Sequence, residues 1–411
     1  MVTTSLYSQT PTKRIAILLT SNSEIPSLPE EKTGYWGEEL VVPYQAFLDQ
    51  GYEVTLLSPK GGISPIDPRS VTSEVTEFLK KHPAETTPIS EWLKNQDKEL
   101  FDAVFIVGGH GPIWDLADIR TKAGQEAMLF LQRHIKRTIA AVCHGPAVLV
   151  NLRYPERGYH SDDYFINGRP VTAYSESEED VTDRNYIPGI KKALENSILE
   201  GSLENAIQVG ETLYEKGPDW QSYVRASGNL ITGQNPASSL GTAQALIAQL
   251  EGYFVSPTGI VLDRSQKDSE VFRQRLNLIK ENMTGTITSG DTFGWGSHTF
   301  ELEPAVTYSI VGEIPDLSEG HTTFFIGTRK AELDPLQYSK GMMHHVRQVS
   351  KTFVSMGLIG YFVTFTRDYE MAVMQWESQA AMEKAFATSE GQALVSEAQR
   401  LLEPLVWEPL K

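Results

Sequence analysis

The sequence predicts an α/β protein, in which a doubly wound, mainly parallel sheet is followed by a second, smaller α+β domain. Two observations lead to this prediction. Short apolar runs alternate with helical patterns over residues 14–254, and the order of elements changes over residues 305–411. With 411 residues, of which 40% are hydrophobic and 22% charged, the chain is long enough for two or three ordinary cores.

The strands of the large sheet are predicted where short runs are largely apolar, as expected for parallel strands covered by helices on both faces. These runs are residues 14–20, 53–58, 103–107 and 138–142, with later strands at 206–209 and 229–232. Helical patterns occupy residues 37–50 and 117–134, and residues 238–254 predict an amphipathic closing helix. In such a sheet, functional residues lie in the loops at the carboxyl ends of the strands.

The C-terminal segments follow the order strand, helix, strand, strand, helix, strand. They are residues 322–328, 335–356, 359–366, 370–376, 379–402 and 405–408. This βαββαβ order predicts a ferredoxin-like domain. We therefore expect one domain at residues 1–254, a second at 305–411, and a linker with some structure, including a helical patch, at 255–304.

Charge and cysteine content exclude several classes of function. The formal net charge of -17 argues against non-specific binding to nucleic acids or anionic membranes, because no basic face is left to displace counterions. A single cysteine excludes an intrachain disulfide and a cysteine-based zinc site. No apolar run approaches the roughly 20 residues of a membrane span. A cytoplasmic protein is expected.

The only cysteine, Cys143, lies in the sequence Ala-Val-Cys-His-Gly-Pro at residues 141–146. It follows a predicted strand and precedes an expected helix, whose free N–H groups and dipole would favour a thiolate. Gly145 permits a close approach at the turn, and Pro146 suits a first helical position. The pattern predicts a nucleophile at a strand-to-helix turn, and the alternative is an inert buried thiol that ends a strand.

A second strand ends in Gly-Gly-His-Gly at residues 108–111. The backbone N–H groups of such a loop can face a developing oxyanion. Gly109, His110 and Gly111 are therefore candidate oxyanion-stabilising and substrate-binding residues. Both loops are expected at the same edge of the parallel sheet.

These two loops, together with Thr-Gly-Tyr-Trp-Gly-Glu-Glu-Leu-Val-Val-Pro at residues 33–43, resemble the ThiJ/PfpI superfamily. The resemblance covers residues 14–254 and implies the flavodoxin-like, class I glutamine amidotransferase-like fold. The sequence is most similar to the heat-shock-chaperone and glyoxalase III branch. This similarity rests on the Thr-Gly-x-x-x-x-Glu opening, on Ser-Pro-Lys-Gly-Gly at residues 58–62, and on the sizeable segment after the cysteine.

The resemblance implies a role for each site residue. Glu39 matches the family's acid beside the cysteine, with the adjacent Glu38 as the alternative; on a helix the two side chains point about 100° apart, so only one faces the site. His144 matches the histidine that follows the nucleophile. The third member is expected within residues 172–180, where Glu179 takes the matching position and the alternatives are Glu176 and Glu178.

The resemblance also implies a glutathione-independent glyoxalase, a lyase that converts an α-oxoaldehyde such as methylglyoxal to a 2-hydroxy acid. Cys143 adds to the aldehyde, Glu39 moves a proton, and no cofactor is needed. Alternatives are a protein deglycase, a cysteine hydrolase or peptidase, and a stress-related holdase chaperone or redox sensor. Residues 233–239 lack the late histidine of glutamine amidotransferases, so glutaminase activity is not expected. No metal is expected either, because the spacing of the N-terminal histidines matches no ligand pattern: His82, His110, His134 and His160.

The C-terminal segment resembles the dimeric α/β-barrel superfamily that includes antibiotic-biosynthesis-type monooxygenases, which implies a homodimer through this domain. His344 and His345 are candidates for a haem or metal site, although the helical pattern favours a core or interface position for His345. Tyr361, Arg367 and Trp376 are candidates for a small-molecule cleft, or for packing alone. A dimerisation or ligand-sensing module is the preferred interpretation.

Overall fold

The computed structural model describes residues 12–95, 99–154, 164–167, 169–208, 212–251, 253–255, 261–262, 269–289, 307–311, 320–365 and 368–409. Within these residues, two sheets of eight and five strands organise the chain. None of the helices in the described part of the chain is long and apolar enough to cross a bilayer.

The N-terminal strands are β1 (Arg14–Leu18), β2 (Glu24–Ile25), β3 (Leu28–Lys32), β4 (Glu53–Ser58), β5 (Gly62–Ile63), β6 (Glu85–Pro88), β7 (Ala103–Ile106), β8 (Thr138–Val142), β9 (Pro170–Val171), β10 (Leu213–Tyr214), β11 (Val224–Ser227), β12 (Leu230–Gly233), β13 (Phe254–Val255) and β14 (Val261–Leu262). The helices of this part are α1 (Gly37–Asp49), α2 (Ser73–Lys81), α3 (Ile89–Lys94), α4 (Lys122–Arg133), α5 (Glu176–Asn185), α6 (Ile190–Glu195), α7 (Leu203–Ile207) and α8 (Ser239–Leu250).

The eight-stranded sheet has the order β11-β12-β8-β7-β1-β4-β6-β5. All of its neighbouring pairs are parallel except the two at the edges, β11 with β12 and β5 with β6. The prediction of a doubly wound, mainly parallel sheet is confirmed. Strands β1, β7, β8 and β12 bring their carboxyl ends to one edge, so the loops after them meet there.

Alternate side chains of the central strands enter two separate cores, as the period of a strand requires. On β1, Ala16 and Leu18 pack with α3, α4, α6 and α7, whereas Ile15 and Ile17 pack with α1 and α8. All four side chains are fully buried. Burying each large apolar side chain contributes about 1.5–3 kcal/mol, which explains why these runs are apolar throughout.

Two local predictions in the N-terminal part were wrong, and one strand was not predicted. Residues 206 and 207, which were predicted to start a strand, are the last two residues of the helix α7. The Ser202 hydroxyl caps the first turn of this helix by accepting a hydrogen bond from the Asn205 N–H (3.2 Å). The helix expected from residue 117 begins at Lys122, because Thr121 caps it through the Gly124 N–H (3.1 Å). Strand β11 was not predicted; it forms an antiparallel hairpin with β12.

The C-terminal elements are α9 (Glu270–Ser289), β15 (Thr307–Val311), β16 (His321–Arg329), α10 (Pro335–Phe353), β17 (Leu358–Phe365), β18 (Tyr369–Trp376), α11 (Gln379–Ala387), α12 (Ser389–Leu401) and β19 (Leu402–Pro409). They form an antiparallel sheet with the order β15-β17-β18-β16-β19. The single helix expected at residues 379–402 is two helices, because Thr388 ends α11 and its hydroxyl caps α12 through the Gly391 N–H (3.0 Å).

Both faces of the five-stranded sheet are covered. Helices α10, α11 and α12 cover one face, whereas Phe272, Leu276 and Ile279 of α9 pack on the other, against Phe324 and Val373. Helix α9 falls in the segment expected to be a linker, so the described part of that segment belongs to the packing of the C-terminal sheet. The rest of residues 255–304 lies largely outside the described residues.

A buried ionic cluster joins the two sheets. Asp368, between β17 and β18, accepts a hydrogen bond from the Ser227 hydroxyl (3.1 Å) at the end of β11. Its carboxylate also pairs with Arg169 (3.5 Å) and Arg329 (3.3 Å). A Cβ at Gly228 would lie 2.2 Å from the Asp368 Cγ, so the carboxylate can enter the β11–β12 turn because a glycine is there.

Candidate active site

Cys143 follows β8 directly, in a left-handed backbone conformation with φ of 59°. This conformation is costly for a residue other than glycine, by roughly 1–2 kcal/mol. Two backbone hydrogen bonds hold it in place: the Cys143 N–H donates to the Gly233 carbonyl (2.9 Å), and its own carbonyl accepts from the Tyr174 N–H (2.9 Å). The strained turn fixes the thiol at the edge where the strand ends meet.

The helix expected after the cysteine is a short 3₁₀ segment, Gly145–Leu149. Five residues of 3₁₀ helix align few peptide dipoles, so the expected helix-terminus support for a thiolate is largely missing. Burial raises the pKa of the Cys143 thiol well above its usual value, and the neighbouring Glu39 carboxylate raises this pKa further. The thiol therefore needs a base to lose its proton.

Glu39 lies in the first turn of α1 and is fully buried beside the thiol. The Gly108 N–H donates to its Oε2 (2.9 Å). Burial raises the pKa of the Glu39 carboxyl well above its usual value, although hydrogen bonds from Cys143 and Gly108 lower this pKa in part. Glu38, the alternative, is exposed on the other side of the helix.

Gly108 allows this approach. A Cβ added there would lie 2.5 Å from the Glu39 Oε2 and 2.8 Å from the Cys143 Cβ. Any other residue at position 108 would therefore separate the carboxyl from the thiol.

His144 and Glu179 extend the site on the other side of the sulfur. The His144 Nδ1 lies 3.4 Å from the Cys143 Sγ, and its Nε2 lies 2.8 Å from the Glu179 Oε2. Burial lowers the pKa of His144, as does the neighbouring His110. A neutral His144 whose Nε2–H donates a hydrogen bond to the Glu179 carboxylate keeps Nδ1 as an acceptor for the thiol proton. The order is that of a Cys-His-Glu triad.

His110 also contacts Glu179, through its Nε2 at 3.0 Å from Oε1. Burial by itself raises the pKa of the Glu179 carboxyl, but the electrostatic interactions and hydrogen bonds with the His110 and His144 rings outweigh burial and hold this pKa below its usual value. Glu179 is thus a carboxylate held between two imidazole rings, whose centroids are 4.1 Å apart.

The other two acids have different partners. Glu178 accepts hydrogen bonds from the Ser175 N–H (3.1 Å), the Trp220 N–H (2.8 Å) and the Asn235 side chain (2.8 Å). Glu176 pairs with Lys191 (3.3 Å) near the surface. Neither carboxylate is bonded to the histidines, because successive residues of α5 point in different directions.

The Gly-rich loop contributes less than its sequence indicates. The Gly109 N–H faces the sulfur and lowers the thiol pKa by hydrogen bonding. The Gly111 N–H, in contrast, donates to the Gly34 carbonyl (3.1 Å), so it is not free for an oxyanion. The role of Gly109, His110 and Gly111 in binding an oxyanion or substrate stays a prediction. The His110 side chain itself is directed at Glu179.

The tertiary structure also brings together three side chains that could bind a metal ion, which the spacing of the histidines in the sequence did not indicate. One donor atom each from His110, His144 and Glu179 lies within 4.8 Å of the others. The Glu179 carboxylate already bonds both rings, so an ion bound there would have to displace these hydrogen bonds.

Tyr174 was missed by the sequence analysis. Its ring lies 4.5 Å from that of His144, and its hydroxyl forms a hydrogen bond with Thr182 (2.8 Å). The available signal was its place within residues 172–180, directly before the acidic run. Its ring restricts the imidazole to the orientation that meets both Cys143 and Glu179.

Comparisons with known proteins show which family the chain belongs to. The DJ-1/PfpI family pattern matches residues 33–249. Glyoxalase 3 of Candida albicans is 26% identical over 245 residues, which cover 58% of this chain and 98% of that protein. A glutathione-independent glyoxalase of Schizosaccharomyces pombe is 26% identical over 243 residues, which cover 56% of this chain and 93% of that protein.

A solved structure, that of glyoxalase III from Candida albicans, is matched with a TM-score of 0.45 and 25% identity, over 58% of this chain and 97% of that one. The family pattern extends over more than half of the present chain and includes both strand-end loops. The resemblance inferred from those loops is confirmed, and the chain belongs to the DJ-1/PfpI family.

Proposed function

We propose that this protein is a glutathione-independent glyoxalase, of the heat-shock-chaperone and glyoxalase III branch, that converts a small α-oxoaldehyde such as methylglyoxal to a 2-hydroxy acid. The observation that carries the proposal is the pair formed by the Cys143 thiol and the buried Glu39 carboxyl. The names of the Candida albicans and Schizosaccharomyces pombe relatives support the same reaction.

In the first step, the Cys143 sulfur adds to the aldehyde carbon while its proton passes to the His144 Nδ1, 3.4 Å away. His144 then gives this proton to the former carbonyl oxygen, which becomes the hydroxyl of a hemithioacetal. The Gly109 N–H, which faces the sulfur, lies close to the place where this oxygen carries negative charge. The Glu179 carboxylate stabilises the imidazolium that forms on His144.

In the second step, the Glu39 carboxylate removes the proton from the carbon bound to sulfur while the hydroxyl proton of the hemithioacetal passes to the ketone oxygen, which gives the anion of an enediol. Glu39 returns its proton to the neighbouring carbon, so that the ketone becomes a secondary alcohol and the sulfur-bound carbon becomes a thioester. The raised pKa of Glu39 makes its carboxylate a stronger base than an ordinary glutamate. Water then cleaves the thioester to the 2-hydroxy acid and the free thiol, and one carbon is oxidised as the other is reduced.

The test is incubation of the full chain with methylglyoxal in the absence of glutathione, followed by a D-lactate assay. We expect turnover that is lost in Cys143→Ala and kept in Glu38→Gln, the matched control beside the site. No turnover by the wild-type chain, or undiminished turnover by Cys143→Ala, contradicts the proposal. Client protection that survives loss of Cys143 and Glu39, without turnover, would favour a holdase chaperone.

We also propose that residues 1–254 form the catalytic domain and residues 305–411 a ferredoxin-like domain of the dimeric α/β-barrel type. The strand order β17-β18-β16-β19 with two intervening helical segments supports this interpretation of the C-terminal sheet. Helix α9 is an extra element relative to the βαββαβ order of a ferredoxin-like domain, and it covers the second face of the sheet.

We propose, finally, that the chain works in the cytoplasm as a homodimer joined through the C-terminal domain. Because α9 covers one sheet face, the pairing surface has to use other parts of this domain, where Val354, Ile359 and Trp407 are exposed. Sedimentation equilibrium of the full chain tests the dimer, and a monomer at all concentrations contradicts it.

A further inference from the structure

The C-terminal domain contains a cavity of about 180 Å³ between its sheet and the helices α10, α11 and α12. Most of its lining is apolar. The largest apolar side chains in the lining are Phe325, Phe353, Met374, Phe386, Leu394 and Trp407. All of the lining residues come from the C-terminal sheet and its helices, so the cavity is separate from the Cys143 site.

Three titratable side chains also line this apolar space. Glu370 and Tyr361, on neighbouring strands, are joined by a hydrogen bond from the Tyr361 hydroxyl to the Glu370 Oε1 (3.1 Å). His345 enters from α10 and forms a hydrogen bond through its Nδ1 with the Glu397 Oε2 (3.1 Å). Glu370 is 3% exposed and His345 6% exposed. An apolar side chain would fill a purely structural position here at lower cost than a buried carboxyl.

Glu370 is suited to donate a hydrogen bond into the cavity. Burial raises the pKa of its carboxyl, although His345 and the Tyr361 hydroxyl lower this pKa in part. Its Oε1 accepts from Tyr361, which leaves the other carboxyl oxygen for a proton. A negatively charged ligand would be repelled by the ionised form of Glu370, so the complementary group is a neutral oxygen acceptor.

The size of the cavity limits the ligand. An apolar cavity of about 150 Å³ binds benzene, whereas pockets for drug-sized ligands are about 300–1,000 Å³. The observed volume therefore holds one ring with a short substituent and is too small for a haem. Phe353, Phe386 and Trp407 line the cavity as one aromatic group, since the Phe386 centroid lies 5.0 Å from that of Phe353 and 5.3 Å from that of Trp407, and such a group favours an aromatic ligand.

We propose that this cavity is a second ligand site, which binds a single-ring aromatic molecule carrying a neutral carbonyl oxygen. The ring lies among Phe353, Phe386 and Trp407, and the carbonyl oxygen accepts a hydrogen bond from Glu370.

Fluorine NMR of the full chain tests the proposal, with 4-fluoroacetophenone as the probe and 4-fluoroethylbenzene as its analogue without the carbonyl. We expect saturable broadening of the ketone signal at millimolar concentrations. We also expect several-fold weaker binding of the analogue, since a net hydrogen bond contributes about 0.5–1.5 kcal/mol. Ala398→Trp, which fills the cavity from α12, should abolish binding of both probes.

Two further variants keep the test decisive. Glu370→Leu preserves an apolar wall and should remove the preference for the ketone, whether or not Ala398→Trp folds. Cys143→Ala should bind both probes as the wild-type chain does, because it lies in the other domain. The proposal is overturned if the wild-type chain binds neither probe, if a folded Ala398→Trp still binds, if Glu370→Leu keeps the preference, or if Cys143→Ala loses binding.

Discussion

The interaction between Glu39 and Cys143 makes a prediction that separates the charge of the carboxylate from its role as a base. Glu39→Gln keeps the size of the side chain and an oxygen that can accept from the Gly108 N–H. It removes the negative charge that opposes ionisation of the thiol. We therefore expect the thiol of this variant to ionise at lower pH, while the variant loses activity.

The magnitude follows from the geometry at Gly108. The Glu39 Oε2 and the Cys143 Cβ lie 2.5 and 2.8 Å from the same point, and the sulfur that carries the thiolate charge is bonded to this Cβ and forms a hydrogen bond with Glu39. We therefore take the two charges to be about 5 Å apart or closer. Two unit charges at about 5 Å interact by about 3 kcal/mol at an effective dielectric constant of about 20. Removal of the carboxylate should thus increase the ionisation equilibrium of the thiol on the order of 100-fold.

Because Cys143 is the only cysteine, the absorbance of its thiolate at 240 nm reports this residue alone once the titration of Cys143→Ala has been subtracted. The same preparations are assayed for D-lactate, where loss of the general base should lower the rate by about 10²–10⁴-fold. Glu38→Gln is the matched control: it removes one charge that raises the pKa of Glu39 but not the base itself, so it should change both quantities far less than Glu39→Gln does. A thiol titration in Glu39→Gln that is unchanged, or moved to higher pH, would refute the electrostatic argument.

Three further predictions concern the triad, the glycine at the site and the contact between the sheets. Glu179→Gln should lower turnover by about 10²–10⁴-fold, because His144 loses the partner that sets its tautomer. The pKa of Glu179 is depressed on folding, so the stability that this carboxylate contributes is complete above its usual pKa of 4.5 and is lost as the pH falls toward its folded-state pKa. Urea denaturation between pH 6 and about pH 3 should therefore show a smaller loss of stability in Glu179→Gln than in the wild-type chain. Gly108→Ala should abolish D-lactate formation, since its Cβ meets both the carboxyl and Cys143 Cβ, and a normal circular dichroism spectrum with full activity would contradict this geometry. Asp368→Ala leaves the buried Arg169 without its acidic partner and should lower the free energy of unfolding by about 3–5 kcal/mol, measured by chemical denaturation; a loss below about 1 kcal/mol would show that the cluster is not stabilising.

Much of the catalytic sheet was predictable from the sequence, because its signals are local. The apolar runs at residues 14–20 and 138–142 indicate strands that helices cover on both faces of the sheet. Paired glycines, or Cys-His-Gly-Pro, directly after such a strand indicate a tight turn at its carboxyl end. These features specify a strand and the loop at its carboxyl end without reference to the rest of the chain. The family resemblance rests on the same loops.

Two other predictions of secondary structure were wrong, because contacts with neighbouring residues determined the conformation. Residues 206 and 207 are apolar enough for a strand, but the cap at Ser202 and the buried positions Leu203, Ala206 and Ile207 have helical spacing. The helix expected after Cys143 is a 3₁₀ segment, so the state of the thiol depends on burial, on Glu39 and on His144 rather than on a helix dipole.

The sequence by itself determined the alternating strands of the large sheet, the position of the lone cysteine at a strand end, and a short set of acids that included Glu39 and Glu179. Only the tertiary structure decided which acids face the thiol, because adjacent helical residues point in different directions and packing selects one of them. It alone brought His110 to Glu179, 69 residues away, and Asp368 to Ser227, 141 residues away. Contacts at such separations depend on how the two sheets and their helices pack, and no local pattern of residues encodes them.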